Sequence, residues 1–241
     1  MGKSSAHDTA IGLLRAAVDK SKRKEQVPFP KEFLRSSKDR PPLARMIHGG
    51  RGGEVRLKLY LTITMMATAE PFDLQKTPSP SRWGRLLSLD GPSVPRRVTS
   101  NLNWLRDNKF ISLTQRPGTI SLITVLDPAG TGAPYRLPSQ HGTPYISLPL
   151  GLWTHGWILD LSATALALFM VVRDVQLEHS RGGVNAAYLS QQDRAAYGLS
   201  ADTWTRATKE LQSHGLLDVT RVPQGGDWVC QTSGVTQVEG N

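Results

Sequence analysis

Residues 93–118, SVPRRVTSNLNWLRDNKFISLTQRPG, and residues 201–226, ADTWTRATKELQSHGLLDVTRVPQGG, carry one order of signals. Each has an amphipathic helical stretch, then a short apolar strand, then a turn rich in Pro or Gly. At a shift of 106 positions, Val98 aligns with Trp204, Leu102 with Thr208, Leu105 with Leu211, Phe110 with Leu216 and Ile111 with Leu217. Four of these five pairs stay bulky and apolar. Such a repeat in a chain of 241 residues favours two small domains, each with its own helical face to bury, over one large one.

The sequence around each copy completes the pattern. An apolar segment from Val55 to about Ala69 reads as the first helix of domain one, although its β-branched LTIT run weakens the helical signal. Ser81 is placed as the N-cap of a short helix, RWGRLLSL, and Ser93 as the cap of the next, which runs to about Asn108 with Pro95 in its first turn. FISLTQ and TISLITVL flank RPG as a hairpin. Downstream, Ser162 caps a long buried helix, NAAYLSQQDRAAYGL supplies a short one, and Ser200 caps a third that Gly215 ends. LLDVTRV and DWVCQT then flank PQGG as a second hairpin. Residues 127–144 hold four Pro and three Gly and read as a linker. The expected domains are a basic N-terminal arm with a short helix (1–53), a first unit (54–126), the linker (127–144), a second unit (145–231) and a tail (232–241). The expected class is mainly α with small β-hairpins, that is α+β.

Charge points to a polyanionic partner. The formal net charge is +9, graded along the chain: +8 over residues 1–60, +4 over 61–136 and −3 over 137–241. The single cysteine, Cys230, excludes an internal disulfide or a cysteine-rich zinc site and points to a reducing, cytoplasmic compartment. The longest apolar stretch, Ala163 to Val172, is too short for a bilayer, so no membrane association is expected. The six histidines are dispersed without metal-like spacing, no nucleophile–base–acid set assembles, and neither a cofactor nor catalysis is expected.

On the third helix of unit one, Val94, Val98, Leu102 and Leu105 share one side, and Arg96, Ser100, Asn103 and Asp107 the other, with Arg97 at the edge. A surface helix needs some polar face. The preceding short helix and the following hairpin give this one a further meaning. The stretch resembles the winged helix-turn-helix of bacterial DNA-binding proteins, and YLSQQDRAAYGLSADTWTRATKELQSHGLLDV is the closer of the two copies. Similar units occur in transcriptional repressors and in plasmid replication initiators. The resemblance spans roughly 54–126 and 145–231 and implies two such units in tandem.

A third helix of this type fits a major groove, where Arg and Asn make bidentate bonds to guanine and adenine. The resemblance therefore assigns Arg96 and Asn103 to base reading, Ser100 to a base or phosphate, Arg97 to a phosphate, and Arg116 at the hairpin tip to the backbone or minor groove. In unit two the matching candidates are Arg206 and Lys209, with Arg221 near the second hairpin; Asp202 and Glu210 dilute the field there. Lys22, Arg23 and Lys24 in the arm would add salt-dependent affinity.

The leading expectation is a sequence-specific double-stranded DNA-binding transcriptional regulator. The alternatives are a plasmid replication or maintenance DNA binder and an interaction adaptor whose acidic second unit docks a protein; self-association as a homodimer is a further expectation. GGRGGE (49–54) reads as a hinge, and GLWTHGW as an aromatic staple in preference to an effector pocket. Trp104, on the flank of its helix, is expected beneath the hairpin or against another copy.

Overall fold

The computed structural model describes residues 2–24, 26–37, 39–48, 51–180, 187–189, 191–221 and 228–231. The chain is mainly helical with small antiparallel sheets, an α+β architecture. It opens with α1 (Gly2–Ser21), β1 (Gln26–Pro30), α2 (Lys31–Leu34) and α3 (Pro42–Ile47). Next come α4 (Arg51–Met66), α5 (Pro80–Leu86), α6 (Val94–Asp107) and the hairpin β2 (Ile111–Thr114) with β3 (Leu122–Val125). A second series follows: β4 (Tyr145–Pro149), α7 (Gly151–Thr154), α8 (Trp157–Asp160), α9 (Ala163–Ser180), β5 (Ala187–Leu189), α10 (Gln191–Ala196), α11 (Ala201–Ser213), β6 (Asp218–Arg221) and β7 (Trp228–Gln231).

From β1 onward the second series repeats the first. Where β5 pairs with β7, the first half has its counterpart in a bridge from Asp73 to Thr124, flanked by Leu74 N–H donating to Ile123 O (2.8 Å) and Val125 N–H to Phe72 O (3.0 Å). The repeat therefore begins at residue 26 and not at 54. The corresponding strands β1 and β4 pair with each other, antiparallel and centred on Pro28 opposite Ser147. The corresponding long helices α4 and α9 also pack together. These pairings relate the two halves by an approximate two-fold axis. The halves exchange contacts in both directions: Trp153 of α7 donates to Thr62 of α4 (3.2 Å), and Lys31 of α2 reaches Asp174 of α9 (2.7 Å). One apolar core runs through both, with Leu57, Tyr60 and Leu61 buried alongside Leu166, Phe169 and Met170.

The expected mobile arm is instead part of this core. Leu14, Phe29, Phe33, Leu34, Leu43 and Met46 are all buried, because a basic sequence still supplies an apolar residue every third or fourth position. Arg23 is not a free cation. Its Nε donates to Met65 O (2.8 Å) and its Nη2 to Thr64 O (2.9 Å) and Ala67 O (3.0 Å), satisfying carbonyls that the end of α4 leaves without helical donors. Burial pulls this guanidinium below its ordinary value, yet it remains a cation at neutral pH. Lys22 and Lys24 are exposed. Arg23→Ala is expected to lower unfolding stability by about 2 kcal/mol in a denaturant titration, while Lys22→Ala and Lys24→Ala stay within roughly 0.5 kcal/mol.

The 127–144 segment is likewise no free linker. Tyr135 and Pro138 are buried, and the Tyr135 ring meets Phe72 edge-on at 4.7 Å. The glycines expected to form a hinge start a helix: α4 includes Gly52 and Gly53, and a side chain at Gly53 would run into the Ile47 carbonyl. Small size there lets α4 begin against the end of α3.

Candidate nucleic-acid interface

Three elements of the first half build the site. Ser79, not Ser81, caps α5, its Oγ accepting from Arg82 N–H (3.3 Å), with Pro80 in the first turn. Trp83, Leu86 and Leu87 then bury one face and leave Arg82 and Arg85 exposed. Gly84 has no room for a side chain, since a Cβ would collide with Val94 Cγ1; α5 and α6 therefore cross closely at the start of α6. Ser93 makes no side-chain cap bond, and Pro95 occupies the first turn.

Val94, Val98, Asn101, Leu102 and Leu105 fix α6 to the core. Asn101 is the polar member of that face and is satisfied by its own helix, donating to Arg97 O at 2.8 Å. The opposite face turns outward with Arg96, Thr99, Ser100, Arg106 and Asp107 exposed and Asn103 and Arg97 half-buried. Arg97 also donates to Asp90 O (3.4 Å), and Arg106 Nε donates to Asp107 (2.9 Å). Asp107 thus has a local partner and adds less repulsion than its charge alone suggests. Trp104 packs inward: it stacks on Phe110 (6.0 Å, 15°) beneath the Arg56 guanidinium at 3.7 Å from the ring.

Between α6 and the hairpin lies a cleft of about 250 Å³ lined by Thr99, Asn103, Arg106, Gln115, Ile120 and Ser121, among others. Arg116 sits in the hairpin loop, half-buried. The structure therefore brings Arg96, Ser100 and Asn103 to one outward face beside the hairpin. Thr99 and Arg106 belong to the same face, and Arg82 and Arg85 lie exposed on α5; the helical period alone would have found the first two. Residues 80–116 hold seven Lys and Arg against two Asp and Glu.

The second half reproduces the scaffold closely and the charge poorly. Lys109 (φ 64°) and Gly215 (φ 66°) occupy the same left-handed position after α6 and α11. Phe110 N–H then donates to Leu105 O (2.9 Å) as Leu216 N–H does to Leu211 O (2.9 Å). Ser200 caps α11, as expected, accepting from Thr203 N–H at 3.2 Å. Yet residues 191–221 hold four Lys and Arg against four Asp and Glu. Exposed Arg206 is paired with Asp202 one turn earlier (2.6 Å), and Lys209 is exposed. Glu210 does not face a ligand; it accepts from Ser162 N–H (2.7 Å) and Oγ (2.6 Å) at the start of α9. Arg221 has its backbone in β6, and its side chain lies outside the described residues.

No protein-family model matches the chain, and no curated protein or solved structure matches it. Among the described residues no helix is long and apolar enough to cross a membrane.

Proposed function

We propose that this chain is a sequence-specific double-stranded DNA-binding protein, a transcriptional regulator built from two winged helix-turn-helix units. The observation that carries the reading is α6: its apolar side is locked to the core while Arg96, Thr99, Ser100 and Asn103 project together beside a hairpin bearing Arg116. A helix so held fits a B-DNA major groove, with Arg96 and Asn103 making bidentate bonds to base edges and Arg82, Arg85 and Arg97 meeting phosphates. The second helix, α11, adds contacts through Lys209 and, once Asp202 releases it, Arg206.

The approximate two-fold favours a second reading alongside the first. A dimeric repressor obtains its second reading helix from another copy; here both lie in one chain, so a single copy covers one pseudo-palindromic site and successive copies can fill a directly iterated array of such sites, as a replication or maintenance protein requires. Selection of bound fragments from genomic DNA separates the two. Promoter-centred, isolated sites support the regulator, and directly iterated sites support the replication protein. In the same assay the affinity for the selected duplex is expected to fall with salt at a log–log slope of roughly −4 to −5, for about five phosphates neutralised. A chain that enriches no sequence and binds no duplex at low salt overturns the DNA reading in favour of a protein-docking one.

A further inference from the structure

A cavity of about 610 Å³ lies at the seam of the two halves, between β4, α9 and the segment that leads into β4. Gln26 and Lys31 close it from the first half, and Tyr145, Ser147, Arg173 and Leu177 from the second. The alternation along β4 explains its lining. Ile146 and Leu148 point into the core, so Tyr145 and Ser147 face the opposite way.

Two properties of the cavity match a ligand. Arg173 is a half-buried cation with no carboxylate within 4.0 Å among the described residues; its Nη2 donates to Ser147 O at 3.3 Å and its Nε has no acceptor. Buried charges are ordinarily paired, and the other cation of this wall obeys the rule: Lys31 contacts Asp174 (2.7 Å) and Glu178 (3.0 Å). Desolvation alone lowers the Arg173 value, with no acidic group offsetting it. The second property is apolar. Three large hydrophobic side chains are exposed among the described residues, and two of them, Tyr145 (37%) and Leu177 (38%), line this cavity.

We propose that the cavity binds a small organic carboxylate with an apolar body, its carboxylate paired with Arg173 and its body laid on Tyr145 and Leu177. An arginine with one neutral acceptor offers its remaining N–H groups to a carboxylate in a charge-assisted, fork-like pair. The apolar rim excludes a bare inorganic anion as the preferred occupant, because nothing in phosphate would cover Tyr145 and Leu177. Because the cavity exists only in the folded chain, its occupant stabilises that state by mass action.

The test uses the full chain, equilibrium dialysis and three probes: 3-phenylpropionate, its uncharged amide, and inorganic phosphate. The acid is expected to bind saturably, at one per chain, and at least about tenfold more tightly than the amide or phosphate. Arg173→Gln is expected to erase the preference, so that acid and amide bind alike, whereas Tyr145→Ser weakens both by a similar factor. Equal binding of acid and amide by the unmodified chain overturns the proposal, without recourse to any variant. So do phosphate binding as tight as the acid's, an absence of saturable binding, and an acid preference that survives Arg173→Gln. Dialysis reads the small molecule alone, so the outcome is independent of whether the chain binds DNA.

Discussion

Arg96→Ala combined with Asn103→Ala is expected to weaken binding to the selected duplex roughly 100-fold or more and to flatten its sequence preference, while leaving the fold intact. A bidentate contact to a base edge is worth about 1–3 kcal/mol of discrimination. Two such contacts separated by seven residues, or about 10 Å along the helix, act nearly independently and add to about 3 kcal/mol or more. The fold should survive because Arg96 projects from the exposed side of α6, whereas Val94, Val98, Asn101, Leu102 and Leu105 hold the helix down. Fluorescence anisotropy at fixed salt reads the loss, and circular dichroism reads the fold. The matching pair in the second half, Arg206→Ala with Lys209→Ala, is expected to cost less than about tenfold, because the exposed Arg206 ion pair with Asp202 must be broken before it meets a phosphate. A larger loss from the second pair than from the first would reverse the assignment of the dominant reading helix. An unchanged affinity in the first pair would remove α6 from the interface.

The local elements were legible because their causes are local. The faces of α6 and α11 follow from a 3.6-residue period, and the cap at Ser200 from a hydroxyl placed before an amphipathic run. Ser162 is another such cap, its Oγ accepting from Ala165 N–H at 3.2 Å. Even the LTIT run stays helical: Thr62 and Thr64 bond back to Lys58 O (2.8 Å) and Tyr60 O (2.9 Å), which satisfies hydroxyls that burial would otherwise strand. What escaped the sequence was long-range. Pro28 and Pro30 argue against a strand in a sheet interior, but β1 belongs to a two-stranded sheet in which every strand is an edge. Its partner lies more than a hundred residues away, and no local period signals such a pairing. The charge run at 20–24 likewise reads as solvated, and only the fold shows that one stem, that of Arg23, is aimed at the end of α4. In the candidate interface the candidates on α6 share a face, whereas the value of Arg206 and Glu210 depended on partners at Asp202 and Ser162. Residue type alone cannot separate a free side chain from one already held.

Asp174→Ala is expected to be the most destabilising single substitution at the seam, costing about 3–5 kcal/mol in a denaturant titration. Asp174 is fully buried on α9. Its carboxylate lies 2.7 Å from Lys31 Nζ and 3.5 Å from Arg35 Nε, both from the first half, and accepts from Tyr197 O–H at 2.9 Å. The carboxylate thus ties α2 to α9 and α9 to the end of α10. Removing it leaves the nearly buried Lys31 ammonium with only Glu178 at 3.0 Å, and the Tyr197 hydroxyl without its acceptor. Burial, reinforced by the Asp174 charge and hydrogen bond, already pushes the Tyr197 phenol far above its ordinary value, so it stays a donor and never a competing anion. Asp174→Asn keeps the shape and an acceptor for Tyr197 but not the charge; a loss nearly as large as that of Asp174→Ala would locate the cost in the stranded cations. Glu178 makes the same junction sensitive to acid. Burial alone would raise its value, but hydrogen bonds from Arg35 and Lys31 outweigh it and hold the carboxylate below its usual range. A depressed value contributes stability that is complete above the ordinary carboxylate range and is lost as pH falls through the depressed one. Denaturant midpoints measured from pH 7 to pH 3 should therefore decline towards the acid end, and Glu178→Gln should flatten that decline.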